Sequence, residues 1–144
     1  MLKQQIDRTA NPDRKARLAF AAPALSADRQ RRDEFFRSLT SRSNRDHEAW
    51  VLEGVRYLHH PLRARDAESY IGPSLELLQE IQRTGDIFFP KRWMDATLGG
   101  HSSVAAADTV RSFVASRRAD YPDRLRRIIL SSADGLFRAA RLVR

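Results

Sequence analysis

The chain has 144 residues, of which 42% are hydrophobic; it carries 26 Lys and Arg against 18 Asp and Glu and contains no cysteine. That apolar fraction is enough to build a core, which argues against global disorder, and no apolar run approaches the ~18 residues a membrane-spanning helix needs. Without cysteine there is no thiolate metal site, no disulfide and no cysteine nucleophile.

The N-terminal Met1-Leu2-Lys3-Gln4-Gln5 lacks the apolar stretch of a secretory signal. A net charge of +8 raises the question of nucleic acid. The Arg residues, however, are spread along every predicted helix and recur beside acids, as in Asp28-Arg29, Arg32-Asp33-Glu34 and Arg65-Asp66. This predicts a solvated helical exterior, with guanidinium stems lying over apolar surface. No nucleic-acid partner and no membrane segment are expected.

Residues 1–10 carry little periodicity and are expected to be a lead-in to a single helical domain over residues 11–144. Asn11-Pro12 predicts a helix start, a capping side chain followed by the residue that tolerates the first turn. Leu18, Ala22 and Leu25 follow at helical spacing, with a bend at Pro23. Ser26 is expected to begin the next helix, which turns Phe35, Phe36 and Leu39 inward and Arg29, Arg31, Arg32 and Asp33 outward. Asn44 is expected to cap a third helix carrying Trp50, Val51, Val55, Tyr57 and Leu58, stopped by Pro61.

A short helix over about 64–71 precedes one started by Pro73, with Leu75, Leu78 and Ile81 at core spacing and Gly85 at its end. Asp86-Ile87-Phe88-Phe89-Pro90 is expected to be an aromatic connector. Pro90 opens a helix through Trp93, Met94 and Leu98 that Gly99-Gly100 ends. Ser102 or Ser103 caps the next, with Val104, Ala107, Val110, Phe113 and Val114 inward. Tyr121-Pro122-Asp123 restarts the chain into a last helix using Leu125, Ile128, Ile129, Ala133, Leu136 and Phe137, weakened in the middle by Gly135. The predicted fold class is all-α: HEAT-like antiparallel helix pairs forming a curved layer, or a compact helical bundle.

Catalytic motifs fail one by one. A zinc-peptidase helix needs a second His one turn after the first, but His47-Glu48-Ala49-Trp50 is followed by Val51. Adjacent His59 and His60 would point about 100° apart on a helix, and His60-Pro61 suits a helix end, where an imidazole meets exposed carbonyls. His101-Ser102-Ser103 suggests a Ser/His pair, but helix capping explains the serines and no third group or oxyanion hole is identifiable. No phosphate-binding glycine loop is present. No catalytic, cofactor-binding or metal-ligating residue is therefore expected on this chain. Aromatic side chains fall mostly on core faces; the cluster Phe88, Phe89 and Trp93 is the candidate for a domain interface.

The run from Leu75 to Pro90, Leu-Glu-Leu-Leu-Gln-Glu-Ile-Gln-Arg-Thr-Gly-Asp-Ile-Phe-Phe-Pro, is more particular than a helix and a turn require. With Asn11-Pro12-Asp13-Arg14-Lys15, Tyr57-Leu58-His59-His60-Pro61-Leu62-Arg63, Gly100-His101-Ser102-Ser103, Tyr121-Pro122 and Leu136-Phe137-Arg138-Ala139, it resembles the C-terminal helical domain of bacterial zinc aminopeptidases of the membrane-alanyl-aminopeptidase family. The resemblance runs from about Ile6 onward. It implies a non-catalytic domain that packs on the catalytic domain of the same polypeptide and limits access to the peptide-substrate cavity. Zinc, with its two His and one Glu ligands and the catalytic Glu, is implied in that other domain; none of these residues can be placed here. The alternative is an independent HEAT-like scaffold that binds another protein through a concave surface.

Overall fold

A computed structural model describes residues 1–143, and those residues are all-helical, with no strand among them. Contacts gather in two compact units, Met1–Leu58 and His59–Arg144.

In the first unit, α1 (Leu2–Arg8) is a helix that buries none of its residues. α2 (Pro12–Ala21) starts where Asn11 predicts. The Asn11 Oδ1 accepts from the backbone N–H of Asp13 at 2.9 Å and of Arg14 at 3.2 Å, satisfying two donors that a helix start leaves open. The bend at Pro23 is a 3-10 turn over Ala22–Leu25. α3 (Arg29–Ser38) is capped by Asp28, whose carboxylate accepts from Gln30 N–H at 2.9 Å. Ser26 instead accepts from Asp28 N–H, one step upstream of the expected role.

Asn44 likewise caps nothing. It lies in a 3-10 turn over Arg42–Arg45 and donates through Nδ2 to the Ser38 carbonyl, and α4 (Glu48–Leu58) begins after it. α2, α3 and α4 close around the 22–25 turn, burying Ala21, Ala24, Phe35, Phe36, Leu39, Val51, Leu52 and Val55. Gly54 exists on α4 because the Phe35 ring presses on it: a β-carbon there would collide with Phe35 Cζ.

In the second unit, a 3-10 turn over Pro61–Arg63 leads to the single turn α5 (Ala64–Ala67), a further 3-10 turn over Glu68–Tyr70, and α6 (Ile71–Glu76). Pro73 therefore sits in the first turn of α6 and does not start the helix; Leu77 breaks the run before α7 (Leu78–Thr84). Gly85 does end α7, but in an extended conformation, φ −107° and ψ −179°, and not the left-handed one. α8 (Phe89–Leu98) has Pro90 in its first turn.

α9 (Val104–Ser116) is capped by Ser103, whose Oγ accepts from Ala106 N–H at 3.0 Å. α10 (Asp123–Leu142) runs unbroken through Gly135 and packs on both α8 and α9, while α6 packs on α8 and α9. The core gathers Leu75, Leu78, Ile81, Trp93, Met94, Leu98, Val110, Leu125, Ile129 and Leu136. Ile128 and Phe137, expected inward, are only half-buried.

Arginine does more than coat the exterior. Arg32 is buried and donates through one guanidinium nitrogen to the carbonyls of Ser26 (2.8 Å) and Ala27 (2.9 Å). Arg45, also buried, donates to the Leu39 carbonyl at 2.7 Å. Arg126 on α10 reaches the end of α9, donating to the carbonyls of Val114 (3.2 Å), Arg117 (3.1 Å) and Arg118. Each guanidinium donates to backbone carbonyls at a helix end or a turn, where the regular ladder of helical bonds stops.

Candidate functional site

Among the described residues, two buried titratable side chains, His59 and His101, meet each other directly. His59 directly follows α4, two residues before Pro61, and His101 lies in the connector between α8 and α9. His59 Nδ1 stands 2.8 Å from His101 Nε2, with the rings nearly perpendicular, at 70°. His59 is 1% exposed and His101 5%. The approach is possible because Gly100 has no side chain: a β-carbon there would run into the His59 carbonyl oxygen.

Burial pushes the His59 imidazole down to about 3, helped by repulsion from His101. Burial also lowers His101, opposed by the Glu68 carboxylate. Both rings are thus neutral at pH 7, and one N–H donates to the partner's lone pair. The outer nitrogens, His59 Nε2 and His101 Nδ1, are buried without a hydrogen-bond partner. The Tyr70 ring stands edge-on to His59, at 6.2 Å and 85°. Glu68 accepts from Ser103 Oγ at 2.5 Å, so the same serine ties the 68–70 turn to the start of α9.

The adjacent histidines of the sequence are therefore separated by structure. His60 is exposed, and its Nδ1 accepts from Leu62 N–H at 3.2 Å, so the ring caps the start of the 3-10 turn and does not meet carbonyls. His101 is not paired with a serine: its partner is His59, Ser102 is exposed and Ser103 is a helix cap. His47 stacks flat on Trp50, with centroids 4.1 Å apart. Among the described residues no group of three or more His, Cys, Asp or Glu could hold a metal ion, and no helix is long and apolar enough to cross a membrane.

The aromatic cluster divides. Phe89 and Trp93 belong to the core, their rings edge-to-face at 6.1 Å, with Trp93 Nε1 donating to the Ser74 carbonyl at 3.1 Å. Phe88 is 61% exposed, as is its neighbour Ile87. Backbone contacts hold this tip: Phe88 N–H donates to the Asp86 carboxylate at 2.8 Å, and Arg124 donates to the Ile87 carbonyl at 3.0 Å. Arg92 stands over the Phe88 ring, 5.7 Å from its centroid. Of the three aromatic side chains, only Phe88 is presented outward.

A second surface feature lies within residues 1–58. Leu2 and Ile6 of α1, Phe20, Pro23 and Leu25, and Phe35 of α3 line an open, mainly apolar groove of about 1010 Å³. Lys3, Arg31 and Glu34 also border it. The histidine pair was not legible in the sequence because its members lie 42 positions apart and no spacing rule connects a helix end to a later connector. The chain matches no protein family, no curated protein and no solved structure.

Proposed function

We propose that this chain is the non-catalytic C-terminal domain of a zinc metalloaminopeptidase, packing on the catalytic domain and limiting access to the peptide cavity. The observation that carries the reading is the segment from Leu75 to Pro90, on which the family resemblance is concentrated. It forms α7 and a fixed turn that holds Ile87 and Phe88 outward. An apolar pair fixed at a turn loses little side-chain and backbone freedom when another surface covers it, which favours docking. On this reading the zinc and the catalytic Glu belong to the other domain, and the peptide substrate meets this chain only at the cavity wall.

Two measurements test it. The isolated chain, supplied with zinc and aminoacyl chromogenic substrates, is expected to give no turnover; turnover abolished by a chelator would overturn the non-catalytic assignment. In the natural gene, an in-frame upstream segment carrying a zinc-peptidase helix is expected. A gene with no such segment removes the aminopeptidase assignment.

The apolar groove of residues 1–58 favours a second reading, an independent helical scaffold that receives an apolar segment of another protein. The same gene comparison separates the two.

A further inference from the structure

We propose that His59 and His101 form a proton-operated latch, which holds the 99–103 connector against the start of the second unit while the pair carries at most one extra proton and releases it when both imidazoles are cations. The proposal is independent of the aminopeptidase reading.

The proton count follows from the geometry. With both rings neutral, the 2.8 Å contact uses one N–H and one lone pair. A first proton can enter without breaking it: His101 donates from Nε2 to His59 Nδ1 and takes the new proton on its own Nδ1. Of the two rings His101 is the better cation, because the Glu68 carboxylate attracts it. A second proton must go to His59. It leaves two N–H groups facing each other across the contact and a second buried cation against the first, and the closed state does not survive this.

The charged group that faces the pair is Glu68, from the 68–70 turn; Tyr70 on the same turn contributes a neutral ring edge. His60, next in sequence, is exposed and turned to Leu62 N–H. On the connector side, Ser103 engages Glu68 and so competes with His101 for its charge. The parts that move on release are defined by the same contacts. Gly100 loses its seat against the His59 carbonyl, and residues 99–103 part from residues 59–61.

The test is nitrogen NMR of the histidine rings combined with amide hydrogen exchange of the whole chain from pH 7.5 to 4. His59 is expected to stay neutral at pH 4.5 while the connector is closed. The opening constant of the amides of residues 59, 60, 62 and 63 and of 99–104, corrected for intrinsic exchange, is expected to rise with acid below about pH 6.5, by up to about tenfold per pH unit per proton taken up. In His101→Gln, which retains a donor toward His59 but cannot be charged, that steepness is expected to fall by one proton. Protonation of His59 at pH 5.5 with these amides still protected overturns the latch. So does identical acid steepness in the variant; if the variant does not fold, the ring titration of the unaltered chain decides alone.

Discussion

Gly100 rests directly against the backbone carbonyl of His59, closer than any β-carbon could come. The contact is backbone against backbone, so no rotamer change relieves it. Gly100 also has an ordinary negative φ, which makes its requirement one of space and not of conformation. Gly100→Ala is therefore expected to cost about 1–3 kcal/mol, the range of an overpacked core, measurable as a lowered midpoint in urea at unchanged slope. The ring-nitrogen signals of His59 and His101 should shift with it, because the connector must back away.

Acid stability follows from the same pair. His59 sits at about 3 in the fold and near 6.5 when unfolded. Its folded value is depressed, so its contribution is whole above about pH 6.5 and is lost as the pH falls from there toward 3. The slope is at most about 1.4 kcal/mol per pH unit for one proton, and His101, also lowered, adds in the same direction. Global unfolding free energy from urea titrations at pH 7.5, 6, 5 and 4 is expected to decline throughout this window. A flat profile between pH 6.5 and 5 would contradict the burial of neutral imidazoles.

Gly135 offers the opposite sign. It lies inside α10, is exposed, and a β-carbon there meets nothing within 4 Å. Alanine removes backbone freedom from the unfolded chain at no steric cost, so Gly135→Ala is expected to stabilise by about 0.5–1 kcal/mol. Thermal or urea unfolding of the second unit measures it.

Ser103 has two tasks, accepting from Ala106 N–H as the cap of α9 and donating to Glu68. Ser103→Ala is expected to lose about 1 kcal/mol or somewhat more, since a cap alone is worth about that. Ser103→Asp keeps the acceptor for the cap but sets a second carboxylate beside Glu68, and should recover only part of the loss. Equal stability of all three forms would show that neither contact matters.

Arg126 reads the end of α9 from a neighbouring helix, and its guanidinium meets three carbonyls. Arg126→Met keeps the stem and removes the donors. It is expected to destabilise by about 1–3 kcal/mol, because the hydrogen bonds of a charged donor to three carbonyls are lost together. Faster amide exchange near residues 114–121 should accompany the loss.

Much of the helical plan was legible because it depends on local chemistry. The Asn11-Pro12 start, the Pro23 bend, the Pro61 stop and the Ser103 cap each follow from a side chain acting within a few residues of itself. Where two polar residues competed for one task, sequence alone placed it wrongly. Asp28 took the cap from Ser26, and Asn44 was drawn to the Ser38 carbonyl six residues back. Neighbouring residues on a helix do not face each other, and the pairs Arg29–Asp33, Lys91–Asp95 and Arg138–Asp134 each lie four apart.

What the sequence determined by itself is an all-helical chain with its punctuation, because capping, proline geometry and apolar periodicity act over a few residues. Which side chains meet was decided only by tertiary packing. That packing sent Phe89 and Trp93 inward and Phe88 outward, turned Arg32, Arg45 and Arg126 from surface charge into caps for distant carbonyls, and set Gly100 beneath His59. The two imidazoles acquire their properties from that last contact. Burial holds both below the ordinary histidine value, and His101 pushes His59 lower still once residues 42 positions apart are brought to 2.8 Å.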